Sequence, residues 1–130
     1  MKKYLAFLTL AAALVSFNFV MKSDNPVSAV MSWSTTEVDF GKIELNKPVI
    51  AEFKFQNTGT TPLLVVSAQG SCGCTVADFT KGEIEPGAYG EVTATYNAAK
   101  VGVFNKTVTV NANTSTGPIT LKIQGEVVAN

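Results

Sequence analysis

Val49-Ile50-Ala51-Glu52-Phe53-Lys54-Phe55-Gln56 places Val49, Ala51, Phe53 and Phe55 on one face and Glu52, Lys54 and Gln56 on the other. Apolar residues recurring at every second position describe a strand with one face in a core and one in water. A helix would need a period near 3.6, which these residues do not have. The run ends at Asn57-Thr58-Gly59-Thr60-Thr61-Pro62, where glycine and proline interrupt regular structure.

The same pattern repeats outward from this segment. Val38 and Phe40 mark a strand before Gly41, and Leu63 to Ala68 is an apolar run of strand length. Glu91 to Tyr96 alternates, as does Phe104 to Ala112, with Val108 and Val110 inward and Thr107 and Thr109 outward. Ile119, Leu121 and Ile123 against Thr120, Lys122, Gln124 and Glu126 complete the set. Turns are expected at Glu85-Pro86-Gly87, Ala99 to Gly102 and Thr116-Gly117-Pro118. Valine and threonine, which suit strands, are frequent. About seven short strands separated by turns predict an all-β chain folded as an antiparallel, immunoglobulin-like β-sandwich, with a small barrel as the other compatible architecture. Trp33, Phe40, Phe53, Phe55, Phe79, Tyr96 and Phe104 supply bulk for a single core; Trp33 precedes the first expected strand, so no periodicity places it. Lys106 falls on the apolar parity of its strand, which predicts either a bulge or a side chain that snorkels at a sheet edge.

The first 29 residues predict a secretory signal. Lys2 and Lys3 precede an apolar stretch from Tyr4 to Val20, followed by polar residues, Pro26 and the small-residue sequence Val27-Ser28-Ala29. Cleavage is expected after Ala29, leaving one domain over residues 30–130. An uncleaved anchor is the competing reading, but the apolar run is at the short end of the roughly 17–25 residues that span a bilayer. The chain carries 10 basic and 10 acidic residues; Lys2, Lys3, Lys22 and Asp24 fall in the leader, so 7 basic and 9 acidic residues remain. No basic residue is an arginine. A weakly acidic domain without arginine lacks the charge pattern that binds nucleic acid or an anionic membrane. Neither is expected as a partner, and no membrane association is expected beyond the signal. Export, to the periplasm or outside the cell, would permit oxidised cysteines.

Further residues carry a family resemblance. Gly70-Ser71-Cys72-Gly73-Cys74-Thr75-Val76 is followed by Ile84-Glu85-Pro86-Gly87-Ala88-Tyr89-Gly90, then by Val92, Tyr96 and Gly102 to Val110. Upstream, Val38-Asp39-Phe40-Gly41-Lys42-Ile43 and Phe53 to Gly59 fit the same pattern. The chain resembles, from Val38 to Val127, a family of exported bacterial domains of unknown function common in Bacteroidetes. The resemblance implies an immunoglobulin-like sandwich related to major-sperm-protein and cilium-associated modules, which are mostly interaction modules. It supplies no catalytic residue.

Reactive chemistry is narrowly bounded. The chain has no histidine, which removes Ser-His-Asp and Cys-His machinery, and its only cysteines are Cys72 and Cys74. No phosphate-binding glycine loop is present. Glu83 and Glu85 read as a solvated turn face, and the scattered carboxylates form no calcium loop. Residues i and i+2 of an extended strand lie about 6.5 Å apart, close to the roughly 6.8 Å limit for a disulfide, and Gly73 could shorten that span by adopting positive φ. Four roles stay open for the cysteines: a local structural disulfide, thiol-disulfide exchange, Cu(I) held by two thiolates, and a link between chains. Zinc would need two further ligands. The reading that results is a non-enzymatic exported module, without cofactor, that binds an unidentified protein or cell-envelope partner. Its expected functional edge runs from Gln69 to Thr75, through Gly70, Ser71 and Gly73, with Cys72 and Cys74 at the centre. A thiol-based redox or Cu(I)-handling protein acting through Cys72 and Cys74 is the alternative.

Overall fold

The computed structural model describes residues 28–129. These contain nine strands and no helix: β1 Met31–Trp33, β2 Glu37–Glu44, β3 Val49–Asn57, β4 Leu63–Gly70, β5 Thr75–Phe79, β6 Glu83–Ile84, β7 Tyr89–Tyr96, β8 Gly102–Ala112 and β9 Ile119–Val128. They form a sandwich of two sheets, one ordered β1-β3-β7-β5 and the other β2-β9-β8-β4-β6. The alternation read in the sequence sets the inner faces. Ala51, Phe53 and Phe55 of β3 are buried, and so are Val92, Ala94 and Tyr96 of β7. From the facing sheet come Leu63, Val65, Phe104, Val108, Val110, Leu121 and Ile123. Burial of each large apolar side chain contributes about 1.5–3 kcal/mol before ordering costs are set against it.

Each sheet carries one cross-strand pairing of phenylalanine with glycine. Phe55 of β3 is opposite Gly90 of β7, and Phe104 of β8 is opposite Gly125 of β9. A methyl group at either glycine would collide with the ring beside it. Phe104 also stacks on Tyr96 across the sandwich, with centroids 4.0 Å apart. Trp33 packs against Phe55 at 5.0 Å between centroids, so the aromatic that periodicity could not place joins the core from β1. Phe40 and Phe79 are half-buried against the same core.

Three features differ from expectation. The sandwich is not wholly antiparallel, because β2 runs parallel to β9. After β1 the chain crosses to the other sheet through Ser34–Thr36 and enters along the outer edge of β9 in the same direction. Alternation reports which face a residue occupies and not which way its neighbour runs. The strands also number nine among the described residues, since β1 and β6 are too short to show a period and β5 follows directly on the glycine-rich turn. Finally, β2 continues through Gly41 instead of ending there. Its register shifts between Asp39 and Lys42, where Gly41 takes φ 68°. The Asp39 carboxylate accepts a hydrogen bond from Gly41 N at 2.8 Å and another from Gln124 Nε2 at 3.2 Å, which secures the bulge.

Lys106 snorkels. The β8–β9 register is continuous from Gly102 to Val110, so no bulge accompanies it. Its side chain is half-buried beside Tyr96 and Lys100, where β4 no longer flanks β8. The leader expected over residues 1–29, and the anchor reading with it, lie outside the described residues except at Ser28 and Ala29. Those two are packed: Ala29 is 1% exposed and bridges Thr114, and Ser28 O accepts from Thr60 N at 3.3 Å.

Candidate functional site

The loops joining β2 to β3, β4 to β5 and β7 to β8 gather at one end of the sandwich. Asn46 N donates to Ala98 O at 2.8 Å, tying the first loop to the third, and Asn97 N donates to Cys74 O at 3.0 Å, tying the third to the second. Asn46 and Ala98 are the non-glycine residues with positive φ among those described, at 65° and 50°. Such backbone is unfavourable for L-residues other than asparagine and aspartate, and Ala98 holds it while fully buried.

Cys72 and Cys74 lie in the β4–β5 loop. The structure brings their sulfurs into disulfide contact, with Cα atoms 5.3 Å apart. A tight turn achieves this spacing without the positive φ that was open to Gly73. The loop is anchored independently of the sulfurs. Ser71 N donates to Thr107 O at 2.9 Å, Thr107 N donates to Ser71 Oγ at 3.2 Å, and Thr75 N donates to Cys72 O at 3.3 Å. Closing a three-residue loop is worth only about 1.6 kcal/mol in the chain-entropy treatment of disulfides. Both cysteines are half-buried, and Cys74 packs against the apolar core. Cys72 Sγ instead lies 3.9 Å from Thr75 Oγ1.

The residues grouped around the cysteines divide in two. Ser71 and Gly73 are exposed, as is Gln69. Thr75 is 5% exposed and begins β5, while Gly70 ends β4 with the Thr75 backbone directly over its Cα. Gly70 and Thr75 therefore form the seam where the chain passes from one sheet to the other. The outward face of the adjacent sheet carries a row of Ile50, Thr95 and Val76, paired in register across β3, β7 and β5. Ile50 and Val76 are 61% and 66% exposed.

At the opposite end, Asn57 is fully buried and its side-chain amide is completely used. Nδ2 donates to Thr61 O at 2.8 Å and to Ile84 O at 2.9 Å; Oδ1 accepts from Gly59 N at 3.0 Å and Val30 N at 3.4 Å. Reading Asn57 only as the end of a strand misses this role. The signal was available, since asparagine two residues before glycine is the signature of a side chain that bonds the backbone ahead of it.

Shallow grooves also mark the surface, two of them beside residues already described. One, of about 430 Å³, is bordered by Asp39, Lys42, Asn105, Gln124 and Glu126 over the β2 bulge. The other, of about 340 Å³, is bordered by Trp33, Phe55, Tyr89 and Lys54, and Trp33 Nε1 lies buried near it without a hydrogen-bond partner. On β5, Asp78 accepts from Lys81 Nζ at 3.0 Å, and this bond, followed by one from Phe79 N, lowers the carboxyl pKa from its usual 3.8. Lys81 also lies 3.4 Å above the Phe79 ring. Among the described residues no three histidine, cysteine or acidic side chains meet as a metal site.

Comparison with known proteins agrees with this architecture. A protein of unknown function from Porphyromonas gingivalis W83 superposes with a TM-score of 0.67 at 19% identity, over 75% of this chain and 46% of that one. The chain thus spans about half of that relative. The PapD-like domain 7 of human CEP192 gives 0.64 at 13% identity, over 81% of this chain and 89% of the domain. The VesB protease of Vibrio cholerae gives 0.62 at 16% identity, over 74% of this chain but 31% of the protease. At these identities the likeness is one of fold. No curated protein matches the sequence. Residues 31–127 match the family described as Protein of unknown function (DUF1573), and the chain belongs to that family.

Proposed function

We propose that this protein is an exported, non-enzymatic β-sandwich module that binds a protein of the cell envelope through the end bearing Ser71 to Cys74. The observation that carries this reading is the exposed tip of the β4–β5 loop, hydrogen-bonded on both sides. Ser71 and Gly73 face solvent while backbone bonds to Thr107 and Asn97 hold both sides of the tip. A surface ordered before binding loses little entropy on association. Ile50 and Val76 add exposed apolar area beside it. Export to the periplasm or beyond, with a leader over residues 1–29, belongs to the same reading, and so does a non-catalytic role. The copper alternative would need both sulfurs as free thiolates, whereas here they contact one another.

Site-directed photo-crosslinking in cells of the source organism tests the proposal. A crosslinker at Gly73 or Val76 is expected to capture the same discrete envelope protein, which one at Thr116, at the other end of the sandwich, does not capture. Equal capture from both ends, or none from Gly73 and Val76, would sink it.

A further inference from the structure

We propose that Cys72 and Cys74 form a reversible dithiol-disulfide site, with Cys72 as the sulfur attacked by an incoming thiolate and Cys74 as the resolving sulfur. This goes beyond the binding role and does not rest on it.

Three observations combine. First, the bridge joins residues two apart, in a loop already anchored by the bonds between Ser71 and Thr107 and between Asn97 and Cys74. So short a cross-link restricts the unfolded chain little, and opening it leaves both strand ends held. Second, neither cysteine is enclosed: both are half-buried. Ser71 and Gly73 on either side of Cys72 are exposed, and the space where a Gly73 side chain would stand is empty to 4 Å. Accessible disulfides are the ones that exchange, and their potentials are higher than those of structural bridges. Third, the two sulfurs differ. Cys74 packs against the apolar core, which screens it from an incoming thiolate, whereas Cys72 is not among the residues packed there. Cys72 has the Thr75 hydroxyl 3.9 Å away, a polar neighbour that can donate to a thiolate. Cys72 is therefore the outer, reacting sulfur and Cys74 the recessed one.

The chemistry balances with a dithiol as reductant. One thiolate of the dithiol attacks Cys72 Sγ, the bridge breaks, and Cys74 leaves with its electron pair and takes a proton. The second thiolate then attacks its own sulfur in the mixed disulfide, and Cys72 leaves and is protonated in turn. Two electrons and two protons pass to this protein, and the partner leaves as a disulfide. The reverse sequence oxidises Cys72 and Cys74 at the expense of a disulfide substrate.

The intact protein, purified without reductant, is equilibrated in graded mixtures of reduced and oxidised glutathione. It is quenched with a maleimide and weighed, while the near-ultraviolet signal of Trp33 follows the fold. The expected result is a reversible two-electron transition within the range glutathione buffers, with the tryptophan signal unchanged. A bridge that stays closed in fully reduced glutathione, or a fold lost on reduction, would overturn the proposal. The order of attack is tested with single variants. Cys74→Ser is expected to form a stable mixed disulfide with glutathione at Cys72. Cys72→Ser should react at least about tenfold more slowly at Cys74, because Cys74 packs against the apolar core. Equal rates in the two variants would overturn the assignment of Cys72.

Discussion

Asn57 satisfies its whole amide by joining the N-terminal segment, the β3–β4 loop and β6, so its loss strands several buried backbone groups at once. Asn57→Ala is expected to lower stability by about 3 kcal/mol, read by urea denaturation, because each unsatisfied buried group costs about 1–3 kcal/mol. The loop glycines offer a paired test. Gly70→Ala drives a methyl into the Thr75 backbone and should cost about 1–3 kcal/mol, whereas Gly73→Ala meets open space and should change stability by less than about 0.5 kcal/mol. Equal effects at the two positions would contradict the packing of the seam. Asp78, whose pKa is lowered in the folded state, contributes stability that is present above its usual value of 3.8 and is lost as pH falls through the folded value. Carbon NMR of its carboxyl group should show a midpoint below 3.8, moving back toward it in Lys81→Ala.

At the scale of elements, the turn between β2 and β3 is set by the left-handed residue Asn46, which bonds Ala98, itself left-handed. Asparagine tolerates this conformation and a β-branched residue does not. Asn46→Val is therefore expected to cost about 1–2 kcal/mol, while Asn46→Gly should be close to neutral, both read by thermal unfolding. The long strands were legible because one face of each is buried and the other wet: β3, β7, β8 and β9 fall within a few residues of where alternation put them. Strands β1 and β6, of three and two residues, were not legible, because a period needs more repeats than they contain. Neither was β5, since Thr75-Val76-Ala77-Asp78-Phe79 follows immediately on a turn rich in glycine and reads as its continuation.

For the whole molecule, the position of Ala29 ties the N-terminal segment into the fold. It is buried beside Gly59 and bridges Thr114, so a chain beginning at Val30 is expected to melt several degrees below one beginning at Ser28. Identical melting temperatures would mean that the segment only rests on the surface. The sequence alone determined the all-β class, the inner faces of the main strands and the paired cysteines as the centre of interest, because these depend on local period and residue chemistry. Only the tertiary structure decided that β2 runs parallel to β9, since strand direction depends on where the chain crosses between sheets. It alone separated exposed Ser71 and Gly73 from half-buried Gly70 and buried Thr75, and joined Asn46 to Ala98 and Asn57 to Ile84. Those outcomes rest on contacts between segments distant in sequence, which no local pattern encodes.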